Sequence, residues 1–127
     1  MRSGTKLQNG EQVTVTIMHN PACSKSRATL QLLKDHGHDP QLILYLESPP
    51  DTEQLKSILA CLGYTARQLM RRGDSEYSAQ GLADPELSEE ALINAMAKTP
   101  KLIERPIVLA NGKAAIGRPP EAVLAIL

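Results

Sequence analysis

The segment His19-Asn20-Pro21-Ala22-Cys23-Ser24-Lys25-Ser26-Arg27 follows directly on the apolar and β-branched run 13–18. This order predicts a strand that ends, a turn at Asn20-Pro21, and a cysteine where a helix is about to start. The first backbone N–H groups of a helix have no intrahelical partner and carry partial positive charge. A thiolate placed there is stabilised, so its pKa falls and it becomes a usable nucleophile at neutral pH. The same N–H groups can hold an oxyanion beside the sulfur. The competing reading of Cys23 is a buried structural thiol, but its place at a proline-containing strand-to-helix turn favours reactivity.

Ser26 stands where the second cysteine of a CxxC pair would sit, so the turn carries no internal resolving thiol and calls for an external reductant. The other cysteine, Cys61, follows Leu59 and Ala60 in an amphipathic pattern and reads as a small core residue. His19 either tunes the thiolate by its charge or hydrogen-bonds the loop. Ser26 either donates to the sulfur or caps the helix. His36 and His38 flank Gly37 at a helix end and need only a dipole or solvent explanation. No His/Cys cluster has metal-ligand spacing and no glycine-rich phosphate loop is present, so neither a metal nor a bound cofactor is expected.

The elements that must position this turn follow from periodicity. Residues 13–18 alternate as a strand, and residues 24–36 favour a helix with Leu30 and Leu33 on one face, stopped by Gly37. The continuous apolar run 42–46 reads as a buried strand parallel to the first, since a helix lies between them. Ser48-Pro49-Pro50 breaks the chain. Asp51 with Gln54, then Thr65 with Gln68, carry the reciprocal capping signature of two further helices. Residues 72–86 are polar and irregular, Ser88 starts another helix, and Pro100 stops it. Pro106-Ile-Val-Leu-Ala110, Asn111-Gly112 and Lys113-Ala-Ala-Ile116 spell a hairpin with a strong two-residue turn signal. Arg118-Pro119-Pro120-Glu121 opens a final helix over 122–127.

The result is an α/β chain ordered βαβ, a helical insertion at about 51–99, then ββα. Without the insertion this is the thioredoxin/glutaredoxin-like topology, a small mixed sheet in which a cis proline precedes the third strand, and Pro106 is placed to be that residue. Residues 13–127 form a single domain, and the polar residues 1–12 a flexible N-terminal extension without a signal-peptide segment.

Bulk composition bounds the partners. In 127 residues, 14 Lys and Arg balance 14 Asp and Glu, so the global field points to neither nucleic acid nor membrane, and any anion site needs locally clustered cations. Phe and Trp are absent, which argues against stacking on nucleobases. Two cysteines in different contexts are no disulfide scaffold, and a free reactive thiol suggests the reducing cytoplasm.

The motifs together resemble the glutaredoxin-coupled arsenate reductase family, and most of all a bacterial arsenate-reductase-like subgroup. They are His-Asn-Pro-x-Cys after the first strand, Leu-Tyr-Leu-Glu in the second, Glu-Arg-Pro-Ile-Val before the hairpin and Gly-Arg-Pro-Pro-Glu before the last helix. The resemblance implies that Cys23 is the catalytic nucleophile and that Arg71, Arg105 and Arg118 bind the oxyanion, with His19, Ser26 and Pro106 in support. Arg105 and Arg118 each abut a proline at the start of an element. Arg71 lies in the insertion, where Arg72 could serve instead, and Arg67 and Arg27 read as surface or supporting residues. Arginine suits such a site because it stays charged and offers a planar fork of donors.

The implied reaction has Cys23 attack arsenate and displace water. Glutathione, as co-substrate, then reduces the arsenic and leaves a mixed disulfide or arsenite adduct, and glutaredoxin restores the thiol. Two other readings compete. One is a thiol oxidoreductase or deglutathionylase with a different substrate. The other is a regulatory binding protein like the Spx-type transcription regulators, against which Ser26 and the arginine set argue.

Overall fold

A computed structural model of the protein describes residues 5–6 and 12–127, with the backbone alone at 5, 6, 12 and 13. In chain order the elements are β1 (Thr5–Lys6), β2 (Gln12–Val13), β3 (Thr16–Met18), α1 (Ser24–Asp35), β4 (Gln41–Ile43), α2 (Thr52–Leu62), α3 (Ala66–Leu69), α4 (Ser75–Ala79) and α5 (Glu89–Lys98). A 3-10 turn at Pro100–Leu102, β5 (Ile107–Ala110), β6 (Lys113–Ile116) and a 3-10 helix at Pro120–Ile126 complete the chain. Most of the expected flexible extension 1–12 lies outside the described residues.

The chain divides into two compact units, one formed by the chain up to Tyr45 with Arg105–Leu127, the other by Leu46–Glu104. In the first, β3 is central to a four-stranded sheet ordered β4-β3-β5-β6. It pairs parallel with β4 (Ile17 opposite Leu42) and antiparallel with β5 (Met18 opposite Ile107). This is the thioredoxin-like arrangement. The register puts the turn after Met18 and the loop before Ile107 at the same end of adjacent strands. Val15, Ile17, Leu33, Val108, Ala110 and Val123 form the core of this unit, flanked by half-buried Leu30, Leu32 and Ile126. Burial of these aliphatic side chains, each removing apolar surface from water, holds α1 and the C-terminal 3-10 helix on the sheet.

Local signals explain several boundaries. Gly37 takes φ +83° just beyond α1, a conformation that only glycine enters without strain. Asn111 and Gly112 both take positive φ, 56° and 72°, as the tight turn between β5 and β6 requires. The Arg105–Pro106 peptide bond is cis, as expected. The Arg118–Pro119 bond is cis as well, which no sequence signal anticipated.

Three expectations are corrected. The strand predicted over 13–18 is broken, because Val13 pairs with Thr5 in a separate two-stranded ladder and β3 begins at Thr16. The run 42–46 is not a buried strand. β4 ends at Ile43, and Leu42, Ile43, Leu44 and Leu46 are exposed while Tyr45 is buried. The physical reason is that β4 is the edge of the sheet, hydrogen-bonded only to β3, and the chain turns immediately after it. The last helix starts earlier than expected, at Pro120, and is of the tighter 3-10 type.

In the second unit both predicted capping boxes form. Asp51 Oδ1 accepts from Gln54 N–H at 2.8 Å and Gln54 Oε1 accepts from Asp51 N–H at 2.9 Å. Thr65 and Gln68 repeat the exchange at the start of α3. Such caps satisfy N–H groups that the helix itself cannot. α5 packs against α2, α3 and the Pro100–Leu102 turn. The stretch read as irregular contains α4, capped by Asp74, whose side chain accepts from Glu76 N–H at 2.9 Å.

Candidate active site

Cys23 occupies the N-cap of α1 with extended backbone, φ −96° and ψ 123°. The fold of its turn is set by short hydrogen bonds. The Cys23 N–H donates to Asn20 O at 3.0 Å, and the Ala22 N–H donates to Asn20 Oδ1 at 3.0 Å. At the strand end, the His19 N–H donates to Ile43 O at 2.8 Å, which ties the turn to β4.

The Cys23 side chain is buried. Burial pushes the thiol up, but the Ser26 N–H, the Arg105 charge, the Lys25 N–H and a hydrogen bond from the Arg105 side chain outweigh it. Together they hold the thiol below its ordinary value of 9.0. The cause is the one foreseen for a helix N-terminus, with an arginine added from the loop before β5.

His19 and Ser26 are both buried. Ser26 Oγ accepts the Asn20 N–H at 3.0 Å and lies 2.6 Å from His19 Nδ1. Ser26 therefore reaches the sulfur with its backbone N–H, while its hydroxyl braces the turn against His19. Burial, with the charges of Arg27 and Lys34, holds the His19 imidazole below its usual value of 6.5. Of the two roles open to His19, the hydrogen bond within the loop is the one seen in the geometry. With the ring proton on Nε2, Ser26 donates to Nδ1.

Arg105 is half-buried beside the thiol, and the following Pro106 is buried. Pro106 O accepts the Gly117 N–H at 2.9 Å. Arg118 is exposed, and its Nε donates to Arg105 O at 2.9 Å. His19, Cys23, Ser26, Arg105, Pro106 and Arg118 therefore all belong to the first unit. Arg71 belongs to the second. Its N–H donates to Leu102 O at 2.7 Å, its Nη1 to Lys101 O at 3.2 Å, and Nη1 lies 3.5 Å from Asp74 Oδ2. Asp74 also meets Lys101 Nζ at 3.6 Å. The Glu76 N–H, then the charges of Lys101 and Arg71, hold its carboxyl below the usual carboxylate value despite a partly opposing burial. The neighbouring Arg72 is exposed.

Two residues that matter to this geometry were missed in the sequence. Thr29 is fully buried, and its hydroxyl donates to Lys25 O at 2.8 Å. A Cβ on Gly117 would collide with Thr29 Oγ1 and lie 2.9 Å from Pro106 Cγ. Glycine at 117 is what lets α1 approach the loop that carries Pro106. A glycine just before Arg118-Pro119 was the available signal; nothing local marks Thr29. Two further readings change. Cys61 is exposed rather than a core residue, since α2 buries Leu55, Ile58 and Leu59 instead. Arg67 is a staple, with Nη1 donating to the Tyr77 hydroxyl at 2.6 Å and Leu82 O at 2.7 Å, and Nη2 to Asp84 O at 2.9 Å.

Among the described residues no group of three or more His, Cys, Asp or Glu is placed to hold a metal ion, and no helix is long and apolar enough to cross a membrane.

Residues 18–126 match the model of the ArsC family. The chain is 59% identical to the Escherichia coli K12 protein named uncharacterized protein YfgD over 114 residues, which span 89% of this chain and 96% of that one. It is 51% identical to arsenate reductase of Neisseria meningitidis serogroup A over 114 residues, 89% of this chain and 97% of that one. The solved structure of arsenate reductase from Vibrio cholerae aligns with a TM-score of 0.90 at 52% identity, covering 92% of this chain and 100% of that one.

Proposed function

Because the chain belongs to the ArsC family, we propose that it is an arsenate reductase, an oxidoreductase that converts arsenate to arsenite through Cys23. The observation that carries this reading is the sulfur of Cys23 at the N-cap of α1, flanked by the Ser26 and Lys25 N–H groups and the Arg105 guanidinium. Relatives and a solved structure named arsenate reductase, at 51% and 52% identity, support it.

Arsenate is an anion near neutral pH, and a thiolate approaching it meets charge repulsion. Fixed donors oppose that repulsion without reorganising as charge builds up. Arg105 supplies a guanidinium beside the sulfur. Arg118 is held to the Arg105 carbonyl, and Arg71, braced by Asp74 and the Lys101 carbonyl, is the third arginine of the proposal. The Cys23 thiolate attacks arsenic and an arsenate oxygen leaves as water after taking up protons. The glutathione thiolate then attacks the Cys23 sulfur, the S–As bond breaks with its electron pair left on arsenic, which departs as arsenite, and Cys23 remains as a mixed disulfide with glutathione. Thiol exchange with glutaredoxin returns the thiol. A nucleophile that must be restored as a free thiol fits the reducing cytoplasm.

The test is arsenite production by the purified protein with arsenate, glutathione and glutaredoxin. Arsenate-dependent turnover that Cys23→Ser abolishes is the expected result. Lack of turnover with a still-reactive Cys23 thiol would sink the arsenate reading in favour of a thiol oxidoreductase or deglutathionylase. Binding of a protein partner without any thiol chemistry would favour the regulatory reading instead.

A further inference from the structure

Arg27 lies one turn into α1, and its side chain is exposed, which makes it look like an ordinary solvated cation. Its guanidinium nevertheless folds back over the turn, and Nη1 donates to Pro21 O at 2.8 Å. The other end of that same peptide unit is also held, because the Ala22 N–H donates to Asn20 Oδ1 at 3.0 Å. The Pro21–Ala22 peptide plane, one unit removed from the nucleophile, is thus pinned at its oxygen by Arg27 and at its nitrogen by Asn20, and the next plane is held by the Cys23 N–H, which donates to Asn20 O at 3.0 Å.

From these contacts we propose that Arg27 is a positioning residue for Cys23, locking the Pro21–Ala22 peptide so that the sulfur is aimed at its donors. The inference rests on Cys23 being the nucleophile, and it goes beyond the anion-binding roles given to Arg71, Arg105 and Arg118. The physical argument is short. The Ser26 and Lys25 N–H groups of the first turn of α1 favour the Cys23 thiolate with Cys23 in its extended N-cap conformation. Rotation of the preceding peptide changes the path of the chain into Cys23 and spoils that aim. A two-residue turn without a side-chain clamp has several accessible peptide orientations, and hydrogen bonds at both ends of the plane select one. The guanidinium suits this role because it keeps its charge and its directional donors at any physiological pH.

Arg27 also bears a charge near the turn, so position and charge must be separated. The experiment uses the full chain carrying Cys61→Ser, which leaves Cys23 as the single thiol. The rate of alkylation of Cys23 by iodoacetamide is followed from pH 5 to 10 in the parent, Arg27→Met, Arg27→Gln and Arg27→Lys, at low salt and in molar sodium chloride. A pure charge effect fades in molar salt, where screening acts over about 3 Å. A positioning effect persists. Arg105, Lys25 and His19, the other ionisable groups at the turn, are retained in every variant, and because the Arg27 charge helps to hold the His19 imidazole down, the molar-salt profile, where that influence is screened, decides.

The expected result is an alkylation profile for Arg27→Met and Arg27→Gln displaced upward by about half a pKa unit or more, so that the thiolate fraction below the midpoint falls roughly threefold. The displacement survives high salt, and Arg27→Lys restores part of it. Circular dichroism and the melting temperature report whether each variant is folded. A folded Arg27→Met or Arg27→Gln with the parent profile, or a displacement that vanishes in high salt, overturns the proposal. If Arg27→Met does not fold, Arg27→Gln decides alone by the same criterion. If instead the parent thiol itself titrates like an ordinary cysteine, it is the nucleophile reading that fails. Arsenate appears nowhere in the measurement, so the identity of the substrate does not enter the outcome.

Discussion

Arg118 Nε donates to the carbonyl oxygen of Arg105 at 2.9 Å. Residues 13 positions apart, each followed by a cis proline, are thereby joined side chain to backbone. The contact orients one guanidinium and braces the loop that holds the other beside Cys23. Arginine side chains lose considerable rotamer freedom on being fixed, so a contact that fixes one before substrate arrives reduces the entropy lost on binding.

Arg105 and Arg118 are therefore expected to differ when truncated. Arg105→Ala removes a charge and a donor from the Cys23 sulfur, so the thiol pKa rises and arsenate kcat/KM falls by about a hundredfold, the usual scale for loss of one preorganised donor. Arg118→Ala leaves the pKa of Cys23 nearly unchanged and weakens arsenate use through KM. Alkylation profiles and steady-state kinetics on both variants separate the two effects. An unchanged Cys23 profile in Arg105→Ala would contradict the electrostatic account.

The cysteines divide just as sharply. Cys23→Ser eliminates turnover, whereas Cys61→Ser retains it, because Cys61 is exposed on α2 and Ser26 leaves the active turn without a second thiol. Arsenite production by each purified variant is the measurement. A dead Cys61→Ser variant would mean that the catalytic cycle requires a second protein thiol.

Gly117→Ala is expected to destabilise the first unit. The added methyl group meets Thr29 Oγ1 and Pro106 Cγ, neither of which can move without disturbing α1 or the Pro106 loop. Overpacking of this kind costs about 1–3 kcal/mol. Urea unfolding of the variant against the parent reads it directly, and Thr29→Ser, which removes one of the crowded methyl groups, should relieve part of the loss in the double variant.

Stability should also fall as the medium is acidified below the ordinary histidine value of 6.5. His19 in the folded chain is held below that value by burial and by Arg27 and Lys34, and His38 is likewise lowered, by burial and by His36. The unfolded chain therefore takes up protons first, and the folded state loses stability from pH 6.5 down to the lowered folded pKa values, where the dependence levels off. Urea midpoints measured between pH 8 and 5 give the slope. His19→Asn should flatten it in part and leave the contribution of His38. A slope unaffected by His19→Asn would show that His19 titrates normally in the folded chain.

Much of this architecture was legible in the chain because its signals are short-range. The Asp51/Gln54 and Thr65/Gln68 boxes, the Asn111-Gly112 turn and the helix start at Cys23 are each specified by residues a few positions apart, whose backbone preferences hold in almost any context. The run 42–46 shows where this stops. An apolar stretch reads alike whether its neighbours cover it or not, and only the strand order reveals that β4 is an edge.

What the sequence by itself determined, then, was the local chemistry: a cysteine at a helix N-terminus, a serine in place of a resolving thiol, and prolines directly after two arginines. The tertiary structure alone decided which partners those groups meet. It set Arg105 against the Cys23 sulfur, joined Arg118 to the Arg105 carbonyl, turned the Ser26 hydroxyl toward His19, and required glycine at 117 for the approach of Thr29. The physical reason is that these contacts join residues distant in the chain. Such contacts arise from how the core packs, to which every residue contributes, whereas a cap or a tight turn is settled by the few residues that form it.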